Sequence, residues 1–204
     1  MIETTINGIK LEFKTDRMLF SPKRIDKGTL AMLSVVEFAE NDKVCDLGCG
    51  YGFVGVLAAK IIGANNVILL DNEQLAVDIS KENALLNDLS SLKVYKSDGF
   101  NNIEDHDFTK IICHPPYHTD FSVPKTFIEK GFNRLTINGK MYMVTKRKEW
   151  YKNKLISIFG GVKIWEIDDY FVFMALKKSE RYANIKPRKK RRNNYGTSNK
   201  KYFT

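Results

Sequence analysis

The 204-residue sequence predicts an open α/β sheet of seven strands, mostly parallel, with helices on both faces and an antiparallel hairpin at the C-terminus. Short apolar runs alternate with helical stretches through five units, which is typical of a parallel sheet. The run Val67–Leu70 is continuously apolar, as in a strand covered on both faces. Only Asp168-Asp169 separates the last two apolar runs, so those strands must be antiparallel.

Residues 1–25 are predicted to form an N-terminal hairpin and extension. Apolar and polar residues alternate around Asn7-Gly8, a pair that favours a primed two-residue turn. Phe20-Ser21-Pro22 interrupts this pattern. A first helix is expected over residues 29–40, with Thr29 as its N-cap. The main domain is predicted to span residues 26–178.

The remaining elements follow in strict alternation. Strands are expected at Lys43–Leu47, Val67–Leu70, Lys93–Lys96, Lys110–Cys113, Lys140–Val144, Val162–Ile167 and Tyr170–Leu176. Helices are expected at about Phe53–Ile62, Glu73–Leu86, a stretch containing Phe127 to Leu135, and Glu149–Phe159. Gly63 is in C-cap position, and Asn138-Gly139 is expected to form a turn before the fifth strand.

Polar residues fall at the carboxyl ends of four successive strands of the predicted sheet. They are Asp46, Asp71, Asp98 and His114. In open α/β sheets, ligands bind at the carboxyl ends of the strands. The sequence therefore predicts a binding site at this edge.

Composition excludes several classes of protein. No apolar run reaches the length of about 18 residues that a membrane span needs, and the N-terminus lacks the basic start and apolar core of a signal peptide. Cys45, Cys49 and Cys113 lie in or beside apparent buried strands, and no histidine pair follows at zinc-ligand spacing. We therefore expect a cytoplasmic protein with reduced cysteines and no metal site.

The net charge of +9 is concentrated at the C-terminus. Residues 186–204 carry eight Lys or Arg and no acid, which leaves residues 1–185 nearly neutral. Most of these cations stand together: Lys186, Arg188, Lys189, Lys190, Arg191 and Arg192. The segment 179–204 is predicted to be a basic, flexible arm that binds a polyanion, although a tail that only aids solubility would show the same composition.

The stretch Val44–Gly52 predicts a buried strand, a tight turn and the start of a helix. Its glycines allow positive φ angles or close approach to a ligand. Asp46 stands at the strand's end, where it would repel a pyrophosphate but suit a cationic ligand. Gly50, Gly52 and Gly55 also satisfy the loose dinucleotide fingerprint, with Asp71 downstream, so a dinucleotide site or a purely structural turn stays open.

Asp46, Gly48, Gly50 and Gly52 fill the pattern D-x-G-x-G-x-G, which resembles motif I of class I S-adenosylmethionine (SAM) methyltransferases. The resemblance implies a Rossmann-like fold and SAM as the cofactor. It also implies that Asp71 binds the SAM ribose, that Asp98 contacts the adenine amino group, and that Asn72 and Gly99 bind the cofactor. From the residues alone, Asp71 could be a helix-start acid and Asp98 a turn aspartate.

His114-Pro115-Pro116-Tyr117 predicts a rigid rim with an aromatic face. The two prolines fix φ and remove two N–H donors, and Tyr117 can stack on a planar ring. The segment resembles motif IV of methyltransferases that act on amino groups, [N/D]-P-P-[Y/F], whose first residue accepts a hydrogen bond from the target NH₂. Because histidine replaces Asn or Asp here, a ring nitrogen such as guanine N7 is also open as the target.

Among the SAM methyltransferases, the sequence resembles the "methyltransferase small" branch most. Over about residues 17–178 it is similar to ribosomal RNA guanine-N2 methyltransferases. Phe20-Ser21-Pro22, Ile25–Thr29 and the histidine after motif IV, His118, carry this resemblance. It implies direct in-line methylation of a guanine in ribosomal RNA or a ribosomal particle, with the base unpaired and stacked against Tyr117. His118 could contact the base or merely begin a helix. The oligomeric state is left open.

Basic and aromatic residues mix after the fifth strand, in Lys146, Arg147, Lys148 and Trp150, a pattern that favours RNA backbone and base contacts. An ordinary solvated helix start, with Trp150 covering the core, is the structural alternative.

Three other functions remain open: a protein-glutamine N5-methyltransferase, which shares motif IV; an NAD-dependent oxidoreductase; and a non-catalytic RNA-binding protein.

Overall fold

In the computed structural model, residues 1–116 and 120–184 are described, and they form a two-stranded hairpin and a seven-stranded sheet. The strands are β1 (Ile2–Ile6), β2 (Ile9–Phe13), β3 (Val44–Leu47), β4 (Val67–Asp71), β5 (Lys93–Lys96), β6 (Phe108–Cys113), β7 (Leu135–Thr145), β8 (Lys163–Ile167) and β9 (Tyr170–Leu176). The helices are α1 (Lys27–Leu33), α2 (Phe53–Ile62), α3 (Gln74–Leu86), α4 (Ser122–Arg134) and α5 (Lys148–Phe159), with a 3₁₀ turn at Ala64–Asn66.

The large sheet has the order β5-β4-β3-β6-β7-β9-β8. Strands β5, β4, β3, β6 and β7 are mutually parallel, whereas β9 runs antiparallel to both β7 and β8. The predicted fold class is therefore confirmed, including its antiparallel C-terminal pair. Starting from β3, the chain adds β4 and β5 on one side of the sheet and then β6 and β7 on the other. The strand order therefore reverses between β3 and β6, which places the topological switch point at the carboxyl end of β3.

Alternation along the strands divides the core into two layers. Val44 of β3 packs in one apolar cluster with residues of α1, α2 and α3. Cys45 and Leu47 of the same strand pack in a second cluster with residues of α4 and α5. Helices therefore cover both faces of the sheet, and β4 is buried along its whole length, as its apolar run predicts.

The N-terminal hairpin joins the first of these layers. Leu11 and Phe13 of β2 are buried, and the Phe13 ring meets the rings of Tyr51 and Phe53 edge-on at 5.8 and 5.3 Å. The turn at Asn7-Gly8 has φ angles of 50° and 82°, as a primed turn requires. The predicted hairpin is present, and it packs directly on the glycine-rich loop.

Several predicted boundaries are wrong, and the largest differences are at α1 and β7. Helix α1 begins earlier and ends seven residues sooner than expected, because Asp26 rather than Thr29 is the N-cap and the Ser34 hydroxyl donates to the Ala31 carbonyl. Asn138-Gly139 is not a turn before a strand: it lies within β7, where Asn138 (φ 67°) sits at an irregularity and its N–H still bonds to the Lys177 carbonyl.

Candidate active site

The carboxyl ends of β3, β4, β5 and β6 converge on one cavity of about 370 Å³. Its walls contain the residues predicted from the strand ends, which are Asp46, Asp71, Asp98 and His114. Gly48, Gly50, Asn72, Gly99, Pro115 and Pro116 also line it. Ten of the predicted site residues therefore meet in one place because the parallel register brings these strand ends to the same edge.

The glycine-rich loop forms the floor of this cavity. Gly48 and Gly50 have φ angles of 75° and 57°, and the N–H groups of Gly48 and Cys49 both donate to the Leu70 carbonyl of β4. A Cβ added at Gly50 would meet no atom within 4 Å and would project into open space. That space is the volume a ligand would occupy against bare backbone.

Gly52 serves a different purpose from the other two glycines. It is the N-cap of α2 with φ 88°, and it does not line the cavity. A Cβ there would lie 2.9 Å from the Ser80 hydroxyl and 3.2 Å from Leu69. Gly52 therefore allows α2, α3 and β4 to approach closely, and the predicted contact between Gly52 and a cofactor remains a prediction.

Asp46 is a buried carboxyl group in the cavity wall. Its side chain is held by the Gly55 N–H, which donates to Oδ2 at 2.8 Å, and the residue is only 3% exposed. Burial raises the pKa of Asp46 to about 7, and the nearby Asp71 contributes in the same direction. A cation placed in the cavity would reverse this effect and stabilise the carboxylate.

Asp71 and Asp98 stand further along the same edge. The Gly50 N–H donates to Asp71 Oδ2 at 2.9 Å and the Glu73 N–H donates to Oδ1 at 3.0 Å, which fixes the carboxylate. Burial raises the pKa of Asp71. Each oxygen still has a second lone pair for a ligand hydroxyl. Asp98 is exposed, and it accepts a hydrogen bond from the Asn101 amide at 3.2 Å.

His114 is clamped at the opposite wall, directly after β6. Its Nδ1 lies 3.1 Å from the Thr29 hydroxyl and 3.3 Å from Oδ1 of Asp26. The rings of Phe20 and Tyr170 meet it edge-on, with centroids at 5.1 and 6.2 Å. Burial lowers the pKa of His114, although the Asp26 carboxylate opposes this shift, so the imidazole is neutral at pH 7.

The sequence of this domain decides the family. A family model for the methyltransferase small domain matches residues 10–175. The chain belongs to the methyltransferase small domain family. It is a SAM-dependent methyltransferase by this membership, so the dinucleotide interpretation of the glycine loop is set aside.

Several curated relatives of this methyltransferase are named for ribosomal RNA. Ribosomal RNA large subunit methyltransferase G of Alteromonas mediterranea is 30% identical over 171 residues, covering 78% of this chain and 42% of that protein. Ribosomal RNA small subunit methyltransferase C of Colwellia psychrerythraea is 26% identical over 173 residues, covering 83% and 48%. The chain thus spans less than half the length of these two relatives. It matches 85% of the uncharacterized protein YbxB of Bacillus subtilis, at 28% identity.

The fold is shared with solved methyltransferases. The T. thermophilus 16S rRNA N2 methyltransferase RsmC, solved with AdoMet and guanosine, superposes with a TM-score of 0.74 over 87% of this chain and 50% of that chain, at 23% identity. A ribosomal protein L11 methylase from Lactobacillus delbrueckii superposes with a TM-score of 0.62 at 16% identity. These likenesses establish the architecture of the methyltransferase domain.

The cavity fits SAM on the chemistry of its walls. The open position at the Gly50 Cβ leaves room for a ligand against the backbone, and the Asp71 carboxylate is fixed in place beside it. The buried Asp46 is the wall group that a ligand with an ammonium and a sulfonium would hold in its charged form. These residues of the methyltransferase therefore suit the cofactor.

The site also contains residues that the sequence interpretation missed. Met18, Phe20, Asp26 and Thr29 line the cavity, and Phe20 is 51% exposed at its edge. The segments Phe20-Ser21-Pro22 and Ile25–Thr29 carry the family resemblance, so their position near the site could have been inferred from it. Nothing in the sequence indicates that Asp26 contacts His114.

The basic segment after β7 lies outside the cavity. Lys146, Arg147 and Lys148 stand over the rings of Tyr170, Phe121 and Phe171 at 4.8, 5.1 and 4.8 Å from the ring centroids. The Trp150 ring stacks on Phe121, with centroids 4.3 Å apart and planes at 11°. Trp150 therefore packs in an aromatic cluster, and its role in RNA stacking remains a prediction.

Several predicted site residues fall outside the described ranges 1–116 and 120–184. These are Tyr117, His118, Lys186, Arg188, Lys189, Lys190, Arg191 and Arg192. In the ranges that the structure does describe, no helix is both long and apolar enough to cross a membrane.

Proposed function

We propose that this methyltransferase transfers the methyl group of SAM to a guanine of ribosomal RNA. The observation that carries the proposal is the pairing of one carboxylate-lined cavity with the rim His114-Pro115-Pro116 at its wall. The names of the relatives support ribosomal RNA as the substrate class. Ribosomal RNA, naked or in a particle, is thus the proposed partner.

On this proposal, the cofactor lies along the ends of β3, β4 and β5. SAM supplies a methyl group on a sulfonium whose leaving group is neutral. Asp46 balances the cofactor's positive charge, Asp71 with Asn72 accepts from the ribose hydroxyls, and Asp98 with Gly99 borders the adenine. The glycine loop admits the cofactor because Gly50 has no side chain to fill the space.

The rim after β6 orients the target base. Pro115 is buried and Pro116 is exposed, and both have fixed φ angles and no N–H group. Their carbonyls can therefore hold a planar base without local movement. Alignment of the acceptor nitrogen with the methyl group supplies most of the rate enhancement, because the sulfonium needs little covalent assistance. Tyr117 and His118 are proposed to complete this base site.

Basic residues beside the β6 rim are proposed to provide the RNA surface. Lys146 and Arg147 are exposed just beyond the end of β7, beside the β6 rim. With the cations of residues 186–204, they are proposed to bind phosphates without reading sequence. This arrangement would bring RNA to the same edge of the sheet as the cofactor.

Nucleoside mass spectrometry of ribosomal RNA tests the proposal. Total ribosomal RNA from cells with and without the gene would be digested, and the strain lacking it would be complemented with either the native gene or Asp46→Asn. We expect one methylguanosine to disappear, to return with the native gene and to stay absent with the variant. An unchanged set of methylnucleosides, with loss of methylglutamine from a ribosomal protein or release factor, would contradict it.

A further inference from the structure

We propose that residues 16–27, here called the entrance segment, bind the single-stranded RNA that flanks the methylated nucleotide. The segment connects β2 to α1, and it exposes a methionine and four cations, which are Met18, Arg17, Lys23, Arg24 and Lys27. The inference rests on the proposed function, because it takes RNA to be the substrate. It names a surface outside the cavity that the RNA strand contacts.

The entrance segment forms one side of the mouth of the cavity. Met18, Leu19, Phe20, Ser21 and Asp26 line the cavity, and none of the four cations does. The cations are next to these lining residues in the sequence, and all four are exposed to solvent. A nucleotide that enters the cavity past this segment therefore brings its neighbouring phosphates close to the cations.

The four cations of the entrance segment form no ion pair with any acid in the part of the chain that the structure describes. The two aspartates of the segment hold backbone groups instead. Oδ1 of Asp16 accepts the Met18 N–H at 2.8 Å, and Oδ1 of Asp26 accepts the Thr29 N–H at 2.9 Å. The exposed face of the segment is therefore positively charged, which favours a polyanion as its partner.

Met18 distinguishes single-stranded RNA from other polyanions. Its side chain is 80% exposed, although it lies at the edge of the cavity. Local hydrogen bonds order the backbone around it: the Thr15 hydroxyl donates to the Pro22 carbonyl, and the Ser21 hydroxyl to the Arg24 carbonyl, both at 2.7 Å. The flat face of an unpaired base can cover such an apolar side chain, whereas a duplex keeps its base faces stacked.

The entrance segment adjoins the basic residues that follow β7. The Lys146 ammonium lies 4.8 Å from the centroid of the Tyr170 ring. A Cβ at Gly28, the residue after Lys27, would lie 2.5 Å from an atom of the same ring. The two groups of cations therefore meet at one tyrosine, so a single RNA strand can contact both.

Glutamine at the four cationic positions of the full-length protein tests the charge contribution. Binding to an oligouridine of about 20 nucleotides would be measured over a range of salt concentrations. Each phosphate contact adds about 0.7 to the slope of log affinity against log salt, so this variant should lower the slope by up to about 3. Its SAM affinity in calorimetry should be unchanged, which shows that the domain is folded. A control that removes the same charge elsewhere should keep the native slope: Lys10→Gln, Lys81→Gln, Lys93→Gln and Lys163→Gln, all at exposed positions outside the cavity.

Met18→Gln tests the apolar contact, because it keeps the length of the side chain and changes no charge. We expect it to weaken oligouridine binding by about tenfold without altering the salt slope. Its affinity for an RNA duplex of the same length should match that of the native protein. Leu85→Gln is the matched control, since Leu85 is 64% exposed on α3 and does not line the cavity.

Two results would each overturn the inference without touching the proposed function. One is a salt slope in the four-position variant equal to that of the lysine control. The other is a Met18→Gln protein that binds oligouridine as tightly as the native protein. Unchanged methylnucleosides in the ribosomal RNA of the strain lacking the gene would instead refute the proposed function on which the inference rests.

Discussion

The charged Asp46 carboxylate has opposite effects on the stability of the ligand-free protein and on the binding of the cofactor. Its pKa of about 7 in the folded chain, against 3.8 for an ordinary aspartate, means that the folded state holds this proton more tightly than the unfolded state does. The stabilisation is complete below pH 4 and is lost as the pH rises through 7. At pH 8 the charged carboxylate therefore destabilises the ligand-free protein, by at most about 4 kcal/mol.

Asp46→Asn should consequently raise the melting temperature of the ligand-free protein at pH 8 and abolish SAM binding in calorimetry. In the native protein, SAM affinity should fall below pH 7, because the protonated carboxyl no longer balances the cofactor's charge. Asp78→Asn, which replaces an exposed aspartate on α3, should alter neither property. SAM affinity retained by Asp46→Asn would remove Asp46 from the cofactor site.

Alanine substitutions at Gly50 and Gly8 separate the effect of backbone strain on stability from the effect of ligand contact on SAM affinity. Both have positive φ angles, 57° and 82°, and both have open space at the Cβ position. Alanine at either position should destabilise the fold by about 1–2 kcal/mol through the left-handed backbone alone. Only Gly50→Ala should also weaken SAM binding, since only its Cβ enters the cavity. Equal SAM affinities in the two variants would mean that the loop does not contact the cofactor.

At the scale of elements, α3 pairs with the edge of β2 through side chains. The Asn83 amide accepts the Lys14 N–H at 2.7 Å and donates to the Lys14 carbonyl at 2.9 Å. One turn later, the Asn87 amide accepts the Glu12 N–H at 3.1 Å and donates to the Glu12 carbonyl at 2.7 Å. Two asparagines four residues apart along α3 and its C-cap thus pair with two backbone positions two residues apart along β2 and its end.

Asn83 differs from Asn87 because it also donates to the Tyr51 carbonyl in the glycine loop, at 2.8 Å. Replacing either residue with alanine should reduce the free energy of unfolding by about 2–4 kcal/mol, since buried backbone groups lose their partners. Asn83→Ala should also weaken SAM binding, whereas Asn87→Ala should not. Urea denaturation and calorimetry on both variants would check this. A loss of affinity in both would indicate that the hairpin itself, and not the contact to the loop, supports the site.

For the whole molecule, local pattern was enough to place most elements but not their irregularities. The bounds predicted for α2 and β5 are those observed, because glycines flank α2 and the strand is a short regular run. Helix α1 and β7 differ because Ser34 and Asn138 adopt conformations that depend on their neighbours. The strand-end residues were predicted together because parallel topology alone brings them to one edge.

The parts of the site that sequence could not supply are contacts between distant segments. Asp26 and His114 meet only because α1 packs at the ends of β6 and β9. The Asn83 contact to Tyr51 likewise requires the tertiary fold. Burial raises the pKa of Asp46 and lowers that of His114. Because burial depends on the tertiary fold, the local sequence around these two residues does not predict the shifts.

The uneven charge of the whole chain leads to a last prediction. Residues 186–204 carry eight of the cations that give the net charge of +9, and each phosphate contact with single-stranded RNA lowers the logarithm of affinity by about 0.7 per logarithm of salt. Deleting these residues should therefore reduce the salt slope of RNA binding by up to about 6, with little effect on SAM affinity. A full-length variant with glutamine at the eight positions should match the deletion, because charge and not length sets the slope. An unchanged slope in both would place the RNA contacts on the methyltransferase domain, with Lys146 and Arg147 the first to substitute.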